Sequence, residues 1–217
     1  MKYRKLTGVI LKKQNYRESD QIVTVWTEQA GKIRCLGRAL RSSKSKLAYS
    51  MQPLSLVEIE VAEKHDLPTL ISAKNLRLFP NLRENLTKTG LGFFVEELML
   101  KMTPDEQRNV EAYRLLVGFL EFVEAAEEEG NLRQVLDCFI LRLLSALGYS
   151  IEHAAGSFRI PDKIGETAKE LNRMDFPQAA GQPLPADLVE LVHKTVVKFA
   201  EYILERNIKS NTFLTQI

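Results

Sequence analysis

Between Glu28 and Glu58 the sequence carries no aspartate or glutamate, and the same window holds Lys32, Arg34, Arg38, Arg41, Lys44 and Lys46. The last four crowd into Arg38-Ala-Leu-Arg-Ser-Ser-Lys-Ser-Lys46, with hydroxyls at Ser42, Ser43 and Ser45 between them. Lysine and arginine neutralise phosphates and release their counterions, and serine hydroxyls add neutral hydrogen bonds to phosphate oxygens. The pattern is that of a surface for a polyanion. Tyr16, Trp26 and Tyr49, in or near the window, offer faces on which bases can stack. Each feature also has a plainer meaning. The basic run has a second reading, a solvated loop without a ligand. A lone tryptophan in an alternating strand is more often packed in a core than exposed as a platform.

Other chemistry finds little support. His65, His153 and His193 are the only histidines, and no Gly-x-Ser-x-Gly elbow precedes a helix. His153 and His193 read as structural or solvent-facing, and Cys35 has basic neighbours but no histidine close in sequence. There is no phosphate-binding Gly-rich loop, no dinucleotide fingerprint and no Cys/His cluster with zinc spacing. Acidic pairs such as Glu96-Glu97, and the run at 127–129, read as solvated helix faces. No catalytic residue, metal site or cofactor is expected.

The charge is divided. Residues 1–80 hold 15 Lys+Arg against 7 Asp+Glu, leaving 15 against 21 in the rest, so a formal net charge of +2 conceals a basic front and an acidic back. Two domains with different tasks are expected, 1–80 and 81–217, with the basic one facing the polyanion. No apolar run approaches the roughly 20 residues of a membrane span, and Lys12 and Lys13 interrupt any signal-peptide reading. Cys35 and Cys138 lie far apart and give no reason to expect a disulfide, so a reducing, cytoplasmic setting is expected.

The elements that must position these residues follow from periodicity. Strands are expected over Thr7–Lys13, Ile22–Thr27, Lys32–Leu40, the strictly alternating Val57–Val61, and Leu67–Leu78. Five short strands in about 80 residues fit an OB-fold β-barrel. The remainder reads as helical. One helix face carries Leu91, Val95, Leu98, Met99 and Met102. Thr103 then suits an N-cap, with Pro104 in the first turn of a new helix. Leu132–Leu147 makes the strongest apolar stripe, stopped by Gly148. A short helix is expected near Glu166–Met174, then a loop, then a last long helix through Leu188, Val192, Phe199 and Ile203. The fold class is therefore α+β: an N-terminal five-stranded OB-fold barrel followed by an all-helical C-terminal domain.

Ordered segments along nearly the whole chain resemble the RecO family of bacterial repair and recombination mediators. They are Thr7-Gly-Val-Ile-Leu-Lys12, Tyr16-Arg-Glu-Ser-Asp20, Thr27-Glu-Gln-Ala-Gly-Lys-Ile33 and Gly37–Lys46, then Gln52-Pro-Leu-Ser-Leu-Val-Glu58. In the helical part, Leu141-Arg-Leu-Leu-Ser-Ala-Leu-Gly-Tyr149, Leu171-Asn-Arg-Met-Asp-Phe-Pro177 and Lys209-Ser-Asn-Thr-Phe-Leu214 are similar to that family's later signatures. The resemblance implies a non-enzymatic mediator. It would bind single- and double-stranded DNA, anneal complementary strands and assist loading of the RecA recombinase, in the cytoplasm and with the nucleoid. It also implies two partners, the RecR protein and the C-terminal tail of the single-stranded DNA-binding protein. DNA contacts would fall to Arg34, Arg38, Arg41, Lys44 and Lys46. Many relatives carry two Cys-x-x-Cys pairs after Leu-Gly-Tyr that bind zinc. Here the stretch reads Ser150-Ile-Glu-His-Ala-Ala-Gly156, so no zinc is expected. Two alternatives remain: an OB-fold module for RNA, and an enzyme with an unrecognised site.

Overall fold

The computed structural model describes residues 2–45, 47–63, 66–127, 131–151, 158 and 160–214. The chain divides into two compact units, one of Met1–Pro80 with Met99–Tyr113, the other of Asn81–Leu98 with Arg114–Ile217.

The first unit is built on five strands: β1 (Lys2–Tyr16), β2 (Asp20–Thr27), β3 (Gly31–Gly37), β4 (Leu56–Glu63) and β5 (Thr69–Arg77). They close in the order β1-β2-β3-β5-β4, with antiparallel pairs throughout except the parallel Leu36–Thr69 bridge that joins β3 to β5. The α+β expectation and the OB-type barrel are both observed. Alternation decides which side chains point inward. Ile10, Val23, Val25, Ile33, Cys35, Val57, Ile59 and Val61 are buried in one barrel cluster. Leu40 and Met51, from the long β3–β4 connection, join the same cluster. Burying each of these aliphatic side chains stabilises the fold by about 1.5–3 kcal/mol.

A strap, residues 103–109, belongs to the barrel unit and departs from the expected helix start at Thr103-Pro104. Thr103 Oγ1 donates back to the Met99 carbonyl at 2.6 Å, so its hydroxyl closes the preceding helix instead of opening a new one. The next helix begins at Val110, and the Asn109 carboxamide accepts the Ala112 N–H at 2.9 Å, as an N-cap does. The strap lies along the β3 edge. Asp105 forms a parallel bridge with Lys32, and the Glu106 N–H donates to the Lys32 carbonyl at 2.8 Å. Gly31, at φ +70, makes this approach possible, because a Cβ there would run into the Gln107 carbonyl.

Eight helices complete the described elements: α1 (Pro80–Glu84), α2 (Leu86–Met102), α3 (Val110–Ala125), α4 (Leu132–Ala146), α5 (Asp162–Arg173), α6 (Phe176–Gly181), α7 (Ala186–Leu204) and α8 (Ser210–Leu214). In the second unit α4 is central, packing against α5, α6 and α7. It ends where Gly148 adopts φ +88. The Phe119 ring meets Phe139 at 4.9 Å and Phe176 at 5.7 Å. Helix α6, absent from the sequence reading, starts with a capping box in which Asp175 and Gln178 exchange hydrogen bonds, with Pro177 in the first turn. Glu97 is no solvated helix-face carboxylate. It accepts the N–H groups of Lys209 and Ser210 at 2.9 and 2.7 Å, at the start of α8. Among the described residues no helix is long and apolar enough to cross a membrane.

Candidate nucleic-acid interface

The basic loop is anchored before it becomes a surface. Leu40 plugs the barrel core, while Arg38, Arg41, Ser43 and Lys44 around it are exposed. The β1–β2 turn holds the loop from the other side. Asp20 Oδ1 accepts the Ala39 N–H at 2.8 Å, and the Arg41 N–H donates to the Ser19 carbonyl at 3.0 Å. Arg41 Nη1 donates to the Glu18 carbonyl, also at 3.0 Å. Ala39 takes φ +53 to make the bend, a left-handed conformation whose cost the plug and the turn contacts offset.

This docking brings in a residue that sequence reasoning missed. Arg17 sits at the tip of the same turn, with φ +55, its guanidinium 5.2 Å from the centre of the Tyr16 ring. Tyr16 is 38% exposed and Tyr49 is 68% exposed. One end of the barrel thus presents Tyr16, Arg17, Arg38, Arg41 and Lys44. Among the described residues Arg17, Arg38 and Lys44 have no carboxylate partner. Lys46 lies outside the described residues.

Two expected contacts leave the surface. Lys32 is only 7% exposed. Its ammonium donates to the Leu100 carbonyl at 2.7 Å and to the Thr103 carbonyl, and lies 3.5 Å from Asp105. Burial lowers its pKa, opposed by the Asp105 charge. It closes the C-terminal end of α2, whose last carbonyls have no partner within the helix, and is not available to a phosphate. Trp26 is fully buried, opposite Lys32 in the β2–β3 register, so it is no stacking platform.

Arg34 remains on the outer sheet face. Register places it in one transverse row with Thr24 and Lys12, through the pairs Lys12–Thr24 and Thr24–Arg34. Its Nη2 is 3.4 Å from Asp105 Oδ2. Lys12 is exposed and extends the cationic face, although it lies outside the acid-free window.

The second unit holds the one described histidine, His193. Its Nδ1 lies 2.7 Å from Asp137 Oδ1, both residues being buried, and its Nε2 has no hydrogen-bond partner among the described residues. Burial pushes the Asp137 carboxyl up, while the His193 hydrogen bond and charge pull it down. The pair ties α4 to α7. His65, His153 and the stretch 152–156 that lacks the zinc cysteines lie outside the described residues; among those described, no group of histidine, cysteine or acidic side chains is placed to hold a metal. Of the cations on the apolar-striped helices, Arg133 and Lys194 share Glu190 at 2.8 and 3.2 Å, and Arg142 donates to the Met174 carbonyl at 3.3 Å. Lys198 and Arg206 are exposed and, among the described residues, without an ion pair. Lys209 is exposed as well.

A closed barrel in this strand order, with a cationic connection between its third and fourth strands, defines an OB-fold protein carrying a helical C-terminal part. Residues 1–79 match the family model described as Recombination protein O N terminal, and residues 83–158 the one described as Recombination protein O C terminal. The chain is 28% identical over 192 residues to the DNA repair protein RecO of Geobacter sulfurreducens, covering 86% of this chain and 78% of that one. It is 30% identical over 149 residues to its namesake in Syntrophobacter fumaroxidans, covering 69% and 58%, and 24% identical over 211 residues to that of Caldanaerobacter subterraneus, covering 94% and 81%. The chain belongs to the RecO family of DNA repair proteins.

Proposed function

We propose that this chain is a non-enzymatic recombination mediator that binds single- and double-stranded DNA through the end of its barrel and anneals complementary strands. The observation that carries the reading is the docking of the basic loop on the β1–β2 turn, which gathers Arg17, Arg38, Arg41 and Lys44 beside the exposed Tyr16. Such a surface meets phosphates of any sequence. Annealing needs little more. Two strands repel through their phosphates, and a protein that neutralises the backbone while leaving base edges unread lets pairing proceed. The burial of the Asp137–His193 pair supports the absence of catalysis, since a substrate has no access to a pair so enclosed.

The helical unit is assigned the acidic, apolar-ended tail of the single-stranded DNA-binding protein. Leu191, Lys194, Lys198 and Tyr202 are exposed at helical spacing along α7, two cations flanked by two apolar groups, the mixture such a tail requires. The RecR protein is a further partner, and RecA loading the outcome of the assembly. The protein acts in the cytoplasm, at the nucleoid.

Annealing of complementary oligonucleotides, with and without the cognate single-stranded DNA-binding protein, tests the reading. The wild type should accelerate annealing, and a folded variant with Arg38, Arg41, Lys44 and Lys46 replaced by Ala should not. Equal rates in the two proteins refute the assignment. Tighter binding of single-stranded RNA than of DNA in direct competition would favour the RNA module instead.

A further inference from the structure

The strap places one carboxylate against the cations of the outer sheet face. Asp105 divides its oxygens, Oδ1 lying 3.5 Å from Lys32 Nζ and Oδ2 3.4 Å from Arg34 Nη2. The two cations differ in what they can still do. Lys32 is buried and already donates to two main-chain carbonyls. The Arg34 side chain is 62% exposed and that of Asp105 47% exposed, so solvent anions reach both ends of this ion pair. The strap itself is held in place. The Glu106 N–H bonds the Lys32 carbonyl at 2.8 Å, Arg108 Nε bonds the Glu28 carbonyl at 3.1 Å, and Gly31 admits the Gln107 main chain against the barrel.

We propose that Asp105 is an internal competitor for nucleic-acid phosphate at Arg34, occupying the anion position of the sheet face and directing a bound strand to the barrel end. The proposal rests on the DNA-binding reading above. A guanidinium fork that faces a carboxylate must exchange it for phosphate before it contributes to DNA affinity. Lys12, in the same transverse row, has no carboxylate partner among the described residues, so the competition falls on Arg34 alone. The exchange offers a strand little. An exposed ion pair at this separation is weak and screened by salt, but a phosphate at Arg34 gains no more than the carboxylate it would displace, so a strand anchored at Arg17, Arg38, Arg41 and Lys44 leaves Asp105 in place. Asp105 therefore sets how far the footprint spreads from the barrel end onto the β1–β2–β3 face.

The test is a double-mutant cycle on the full chain, read by fluorescence anisotropy of a labelled oligothymidylate across a NaCl series. Asp105→Asn should bind about 3–10-fold more tightly at 0.1 M salt, with a log–log salt slope steeper by about 0.7, one added phosphate on a single strand. Arg34→Gln should change the wild type by less than about 2-fold, because its charge is already engaged, and should abolish the gain in the Asp105→Asn background. If Asp105→Asn is poorly folded, Asp105→Ser is read in its place. An unchanged affinity for the Asp105 variant, while loss of the loop cations still weakens binding, overturns this proposal and leaves the DNA-binding reading intact. A gain that survives Arg34→Gln overturns it too, since the effect would then be one of net charge. Failure of wild type and variant alike to bind DNA removes both readings.

Discussion

Replacing Arg17, Arg38, Arg41 and Lys44 together with Gln tests the barrel-end surface most directly, because all four side chains are exposed and belong to one docked loop–turn pair. Each cation that neutralises a phosphate on a single strand contributes about −0.7 to the log–log slope of affinity against salt, so four contribute about −2.8. Between 50 and 200 mM salt the wild type should therefore lose about 50-fold in affinity on this account, and the variant only what Lys12 and other outlying cations add. The structural cost is small. The Arg41 side chain makes an exposed hydrogen bond to the Glu18 carbonyl, worth about 1 kcal/mol, and the main-chain bonds of Ala39 and Arg41 that hold the loop are kept. Anisotropy of a labelled oligothymidylate, titrated at five salt concentrations, gives the slope, and a thermal melt confirms folding. Lys46 is left in place as an internal reference. A folded variant whose slope stays near −3 would refute the assignment of the barrel end.

Lys32→Met should destabilise the barrel unit by about 2–4 kcal/mol, since it strips a buried donor from the Leu100 and Thr103 carbonyls, and should leave the DNA salt slope unchanged; a flattened slope in the folded variant would return Lys32 to the interface. Burial pushes the Cys35 thiol up to about 12 and that of Cys138 to about 11, from an ordinary value of 9.0. The folded state thus binds these protons more tightly than the unfolded chain, and stability falls as pH rises above about 9, by at most about 1.4 kcal/mol per pH unit per thiol. A Cys35→Ala/Cys138→Ala variant should show a shallower alkaline loss in denaturant titrations, and a thiol reagent at pH 8 should modify neither cysteine before unfolding. Elemental analysis of purified, untagged protein should find no stoichiometric zinc, and a chelator should leave the melting temperature unmoved. Lys198→Glu with Arg206→Glu should weaken binding of an acidic, apolar-ended peptide about 10-fold while leaving DNA affinity within about 2-fold; loss of DNA binding with the peptide retained would reverse the division of labour between the units.

The barrel was legible where alternation was strict. Val57-Glu-Ile-Glu-Val61 assigns its own faces, and the structure buries Val57, Ile59 and Val61 together. The apolar stripe of α4 was legible for the same reason at helical spacing, and Gly148 stops it at φ +88. Short or long-range features were not. Helix α6 spans six residues, less than two turns, so its capping box at Asp175 and Gln178 signals a start with too little periodicity behind it to show a helix. Thr103-Pro-Asp-Glu106 carries every local mark of a helix start: a hydroxyl cap, a first-turn proline and early acids. The chain runs otherwise because a main-chain bond to β3 and the Lys32 ammonium hold it against the barrel, and Asn109 caps the helix six residues later. Local propensity lost to contacts more than sixty residues away in sequence, which no window along the chain contains.

The same strap explains why the acid-free window sorted its residues imperfectly. Lys32 and Arg34 are two residues apart on one strand and point to the same outer face. By composition and spacing they are equivalent, and an unbroken row of phosphate contacts would use both. The strap separates them. It crosses the β3 edge at Lys32, converting that cation into a cap for α2, and reaches Arg34 only with the Asp105 carboxylate. Two residues in the opposite sense, Arg17 and Asp20, lie outside the window and yet belong to the surface, one as a cation and the other as the carboxylate that holds the Ala39 N–H. A scan for acid-free sequence counts charges along the chain, whereas a strand of DNA meets them across the sheet. Asp20 shows the consequence most plainly. In sequence it stands outside the basic window, an acid beside Glu18 with no evident tie to it, and in the fold its carboxylate accepts a main-chain N–H, fixing the loop that presents Arg38 and Arg41.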